Sequence, residues 1–306
     1  MRSRRCSMAN LCFLSLALIL VPPAWAADTA LAARIRQLLH TVLTTDNDAD
    51  DAAAKAEMHK IFDARGLPTI AEVGDEAAYE FVVLAFYQQP ADFRQRVLVE
   101  ARQSAERHEI PPDALTFLET RAKLEEAKAR ARATPPTNPD LRDQIRLMAE
   151  EDQRVRQRKD FDPAKMEATD AENAKPLLAI IEKYGVPTVS MVGPKAATGF
   201  VVMAQHQPAD FRERIVAGLK ANVDAGEADP EAYALVYDRL ARNMGRNQLY
   251  GTQLECTAGG TLAESPLDDP ATVNQRRAKL GMLRLAVYED VVRTITPDMC
   301  HIPPKQ

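Results

Sequence analysis

Tryptophan is all but missing from this chain, glycine and aromatic residues are sparse, and there is no surplus of positive charge. Its 306 residues include one Trp, 12 Gly and 6% aromatics. So few aromatics argue against a β-sandwich, whose pleated faces favour them. Scarce glycine beside abundant alanine favours helix. Asp and Glu outnumber Lys and Arg by 44 to 39. The basic footprint that a nucleic-acid partner needs is therefore absent. Histidine numbers only 5. His40, His59, His108 and His301 do not stand at ligand spacing from His206, so neither a metal nor another cofactor is expected. No Ser-His-Asp order, Gly-rich phosphate loop, metal-binding His-Glu helix motif or Cys-His dyad can be read. Asp46 to Asp51 is rich in acid, but it lacks the central Gly and terminal Glu of a calcium loop. It reads as a loop preceding a helix. What remains is 46% hydrophobic and 27% charged residues, a globular composition.

The N-terminus has the parts of an export signal. Arg2, Arg4 and Arg5 come first, Leu11 to Val21 is apolar, and Ala24-Trp25-Ala26 is a small-x-small cleavage pattern. Residues 1–26 are thus expected to be a signal peptide, cleaved near Ala26, and the product to be periplasmic or secreted. The apolar run is shorter than the roughly 20 residues of a spanning helix, so no membrane span is expected after cleavage. Cys6 and Cys12 fall in the leader, leaving Cys256 and Cys300. An oxidising compartment permits one bridge between them. Two buried thiols are the alternative, because sequence does not report geometry.

The rest of the chain is written twice. Gly66-Leu67-Pro68-Thr69 recurs as Gly185-Val186-Pro187-Thr188. Phe81-Val82-Val83 recurs as Phe200-Val201-Val202, and Gln89 to Arg94 recurs as Gln207 to Arg212. Over 66–96, 18 of 31 positions are identical, with one residue inserted or lost near 86–88. Each copy carries helical periodicity, as in the apolar steps of four from Phe211 through Ile215 and Leu219 to Val223. Helices are expected over about 195–206, 230–244 and 112–133. The Pro-rich run 134–139 ends the last of these and reads as a linker. The expected fold is all-α, a duplicated helical unit of stacked helix hairpins. Residues 27–133 form a degenerate first repeat. Residues 140–306 form the second repeat, extended by a small hairpin over 249–265 and a final helix over about 271–293.

A second-half motif set has a family likeness. Asp152-Gln153-x-x-Arg156, Tyr184-Gly185-x-Pro187, Gln205-His206, Asp238-Arg239, Gln248-x-Tyr250-Gly251-Thr252-Gln253 and Arg276-Arg277-x-x-x-Gly281 occur in this order. In this, residues 140–293 resemble bacterial proteins grouped as domain of unknown function 6624. Val186 stands where that family would have Trp. The resemblance implies a helical fold and carries over no activity.

Comparing the copies separates architecture from candidate chemistry. Gly66/Gly185, Pro68/Pro187 and Phe93/Phe211 are shared, as is Arg121/Arg239. Gln205-His206, Asp238 and Arg242 are found in the second copy only, and Gln248 to Gln253 has no counterpart. His206 is read either as a general base or as a helix C-terminal cation bonded to a carbonyl. Asp238 either orients His206 or holds a cationic ligand. Otherwise it forms a buried ion pair, with Arg242 four residues on or with Arg276 or Arg277. Gln248, Tyr250, Thr252 and Gln253 line a polar pocket or satisfy loop backbone. Arg276 and Arg277 grip an anion or pair with core acids.

Two functions follow. The first is an exported binding module whose polar pocket includes Gln205, Arg239 and the residues just named, for a protein, peptide or small polar ligand. The second is a hydrolase with His206 as base, Asp238 as its orienter and Tyr250 or Gln253 as donor to a developing oxyanion.

Overall fold

The computed structural model describes residues 28–156, 162–297 and 300. The leader and its cleavage point lie outside the described residues. Among these, fourteen α-helices and one two-stranded sheet make up the fold. No helix among them is long and apolar enough to cross a membrane.

The first half runs α1 (Thr29–Thr44), α2 (Asp48–Arg65), α3 (Ile70–Val73), α4 (Asp75–Phe86), α5 (Ala91–Glu106) and α6 (Pro112–Ala133). Side-chain caps set several starts. Asn47 accepts from the Ala49 N–H at 2.9 Å to open α2. The acids expected in a loop lie instead in this helix, with Asp48, Asp50 and Asp51 in its first turn. Negative charge is favoured there by the unpaired N–H groups of the helix end. Thr69 and Glu72 form a reciprocal capping box at α3. Helix α4 has no solvent face over 77–86, since every residue there is buried. Phe81 and Val82 within it join Ile35, Met58, Val97 and Leu118 in one core.

The second half runs α7 (Pro139–Val155), α8 (Pro163–Tyr184), α9 (Val189–Val192), α10 (Pro194–Ala204), α11 (Ala209–Asp224) and α12 (Pro230–Asn243). Asn138 caps α7 by accepting from the Leu141 N–H at 3.1 Å, so the chain restarts directly after the Pro-rich break. Gly66 and Gly185 both end a helix at φ +73°, which a side chain would disfavour. The buried helix of this half is α10, and its Phe200 meets Ile145, Leu177, Ile215 and Val236 in a second core. Burying a side chain of this size contributes about 1.5–3 kcal/mol.

Two expected elements differ. The hairpin is shorter, with β1 (Leu254–Cys256) antiparallel to β2 (Leu262–Glu264) and Cys256 opposite Leu262. The N–H groups of Leu249, Tyr250 and Thr252 are committed to Asp238, and this stretch stays out of the sheet. The single final helix is broken into a 3-10 turn (Pro270–Thr272), α13 (Val273–Lys279) and α14 (Leu285–Ile295). Gly281 makes the break at φ +65°, and a Cβ there would come within 3.3 Å of Leu124 and Thr120 on α6.

The break lets the C-terminal segment pass between the two cores. Met282 packs into the second, while Ala278 and Val287 pack into the first. Arg284 fixes the crossing. Its guanidinium forks onto Asp113 with two bonds of 2.7 Å and reaches Asp75 at 2.7 Å. Its backbone N–H donates to the Tyr79 hydroxyl at 2.9 Å. Cys256 and Cys300 are bridged, with Cα atoms 5.3 Å apart, which decides between the two readings of those cysteines.

Candidate functional site

Asp238 shows how the second-half motifs converge. It lies in α12 with 0% exposure. One carboxylate oxygen accepts from the N–H groups of Leu249 and Tyr250 at 2.8 and 3.1 Å. The other accepts from the Thr252 N–H and hydroxyl, both at 2.9 Å. Four charge-assisted bonds satisfy a buried carboxylate without a cation. Neither expected role, orienting His206 or pairing with Arg242, is found among these contacts. Arg242 pairs with Glu255 of β1 instead.

The rest of the Gln248–Gln253 segment serves the same loop. The Gln248 amide donates to the carbonyls of Gln253 and Ser265 at 3.0 and 3.1 Å. Its oxygen accepts from the Gln253 N–H at 2.7 Å. Tyr250 is buried with its ring edge-on to Tyr233 and Tyr237. Burial pushes its hydroxyl well above the ordinary range. A donor held there faces the second core. Arg276 donates to the carbonyls of Leu249, Asp268 and Asp269. Arg277, with 0% exposure, donates to the carbonyls of Tyr250 and Leu283 and lies 4.7 Å over the Tyr288 ring. Both guanidiniums staple loops together.

His206 belongs to a different group. It sits in the turn after α10, half-buried, where its N–H donates to the Met203 carbonyl at 3.1 Å. Its imidazole is pulled down to about 4, first by burial and then by the Arg156 guanidinium. Arg239 and Arg212 pull the same way, and Asp152 opposes them. At neutral pH the ring is therefore uncharged, which removes the reading of a protonated histidine capping the helix dipole. The acid that faces it is Asp152, not Asp238. Asp152 is itself engaged, accepting from Arg156 at 3.0 and 3.1 Å and from the Gln153 amide at 2.8 Å. Arg156 also bonds Asp170, whose carboxyl burial raises above its usual range.

Arg212 and Arg239 are placed otherwise. Arg212 donates to the carbonyls of Gln205 and Gln207. Arg239 donates to Gln253 Oε1 at 3.1 Å and to the Gln205 carbonyl at 3.4 Å. Both thus draw on the negative C-terminal end of α10. No ion pair joins either one to a carboxylate among the described residues. The Arg212 Nε is buried without a partner there. Burial lowers the Arg239 guanidinium, and its neighbours Arg212, Arg242 and Arg156 lower it further. Arg212 has Asp210 as a nearby charge and the Asn243 amide oxygen as a further acceptor, so Arg239, beside a neutral imidazole, carries the less compensated charge of the two.

Of the predicted residues, Gln205, His206, Arg239 and Gln253 meet here. Asp238, Gln248, Tyr250, Thr252, Arg276 and Arg277 support the loop behind. Asp152 and Arg156 enter the sequence reading only through the family motif, and Asp170 and Arg212 are not among its candidate site residues. The i, i+4 spacing of Asp152 and Arg156 was a usable signal. Arg212 was hidden by its match to Arg94 in the first copy. Among the described residues, no cluster of three His, Cys, Asp or Glu has the arrangement to hold a metal ion.

A model of a family of unknown function, DUF6624, matches residues 139–297. No curated protein and no solved structure matches the chain. The matched residues take in every member of the His206 cluster and the loop that Asp238 holds, and by this match the chain belongs to the DUF6624 family.

Proposed function

We propose that this protein is an exported binding module that takes a small oxyanion, a carboxylate or phosphate group, between Arg212, Arg239 and His206. The observation that carries this is the pair of half-buried and buried guanidiniums with no ion pair to a carboxylate among the described residues. A cation taken out of water without an anion is costly, and a bound anion removes that cost. Arg156 is held by Asp152 and Asp170 and is left out of the ligand's contacts. His206, neutral at pH 7, supplies one ring N–H as a donor.

Binding is favoured over hydrolysis because the base has lost its orienter. Asp238 is committed to backbone N–H groups, and Asp152 to Arg156. Export is the natural setting. The leader of residues 1–26 has the parts of a signal peptide, and the Cys256–Cys300 bridge suits a periplasmic or secreted protein. Residues 27–133 and 140–306 would then be two units, with the site in the second. The test is calorimetric titration with acetate, phosphate and sulfate. One of the three binds, and Arg239→Gln weakens it about tenfold or more, the loss expected for a charge-assisted fork. Titrations that show no heat for any of them, or equal affinity in the variant, would remove the reading.

A further inference from the structure

The first half has a cavity at the place that aligns with the His206 cluster. Arg94 aligns with Arg212 and Arg121 with Arg239, and Phe86-Tyr87-Gln88 stands opposite Gln205-His206 with one residue unmatched. These five residues, with Phe117, Glu125 and Lys128, line a cavity of about 210 Å³. It is smaller than the roughly 300–1,000 Å³ of sites for drug-sized ligands.

Its chemistry differs from that of the second half. The Arg94 guanidinium lies 5.7 Å over Phe86, and that of Arg121 lies 5.8 Å over Phe117. Arg94 donates to the Gln89 carbonyl at 2.7 Å, and no ion pair joins it to an acid among the described residues. Arg121 has Glu231 at 3.6 Å, and its Nε is buried without a partner there. Lys128 at the edge of the cavity is balanced by Glu125 at 3.5 Å. Gln88 holds φ at +53°, a conformation side chains rarely adopt, on the wall of this cavity. Backbone of this kind clusters at ligand sites.

We propose that this cavity is a second ligand site, for a small aromatic carboxylate. The carboxylate is received by Arg94 and Arg121, and the ring lies against Phe86, Tyr87 and Phe117. Guanidiniums stacked on aromatic faces present a flat cationic surface that suits a planar acid. A histidine is absent, so the ligand is held by charge and shape alone. The site stands apart from the proposed oxyanion site and does not require it.

The test uses the full chain and 4-fluorobenzoate, with 4-fluorobenzamide as the neutral analogue, followed by fluorine and proton NMR. Nuclear Overhauser contacts from the ligand ring to Phe86 and Phe117 are expected, and the amide should bind about tenfold or more weakly. Arg121→Gln should remove these contacts and leave the His206 resonances unchanged, whereas Arg239→Gln should leave them in place. Contacts to other residues only, or equal binding of the amide, overturn the proposal. Both results are read on the unaltered chain, so a variant that fails to fold does not blunt the test. A folded Arg121→Gln protein that binds like the parent also overturns it.

Discussion

At the scale of the residue, the same amino acid type does opposite work within the second half. Asp238 and Asp152 are both carboxylates with 0% exposure. One receives backbone N–H groups and shapes a loop, and the other receives a guanidinium and bears on His206. Asp238→Asn would turn an amide N–H₂ toward donors at 2.8 to 3.1 Å. We expect a loss of about 2–4 kcal/mol in denaturant unfolding, because buried donors are left unsatisfied. Unchanged stability with lost anion binding would place Asp238 in the site instead. The sequence made Asp238 legible as a buried acid that needs partners. It did not make the partners legible, because a loop 11 to 14 residues away supplies them through its backbone. His206 was legible as singular. Its neutrality was not, since burial imposes it together with three arginines, one just after α7 and the others in α11 and α12.

At the scale of the element, caps and breakers were readable, and long-range commitments were not. Helix α6 ends where its composition meets the Pro-rich run, and α10 is buried because its sequence is apolar on most sides. The strands were overestimated, and the N–H groups of Leu249, Tyr250 and Thr252 went to Asp238. The last helix was overestimated because Gly281 approaches α6 closely, a contact between parts of the chain far apart in sequence. The hairpin is secured by the Cys256–Cys300 bridge to the segment beyond α14. Replacing both cysteines with serine should lower stability by about 3–4 kcal/mol on the loop-entropy model. Unfolding followed with and without reductant checks this: the parent loses stability on reduction, and the variant does not respond.

At the scale of the whole molecule, the two halves have separate cores and a shared C-terminal strap. Arg284 is the fastener, bonded to Asp75 and Asp113 of the first half. The carboxylates around it raise its guanidinium further above the ordinary range, despite burial. Arg284→Ala leaves Asp113 largely buried without its partner, a change of the kind that costs about 3–5 kcal/mol. Calorimetry should show one unfolding transition in the parent and a split or broadened one in the variant. A single sharp transition at the parent temperature would mean the strap is not what couples the halves. The repeat was legible in sequence because turn residues recur at fixed offsets. The strap was not, because Arg284 has no equivalent to be compared with and its partners lie 171 and 209 residues away.

The central claim is that Arg212, Arg239 and a neutral His206 form an anion site. With a folded pKa of about 4 against an ordinary 6.5, the His206 contribution to stability is complete above pH 6.5. It is lost as pH falls from there toward 4. A bound anion compensates the arginines and must raise that pKa, because it favours the charged imidazole. The direct measurement is an NMR titration of the His206 ring, first alone and then saturated with whichever of acetate, phosphate or sulfate binds. We predict a midpoint near 4 without the anion and a clear upward shift with it. A midpoint near 6.5 in the free protein, or one that the bound anion does not move, would contradict the account.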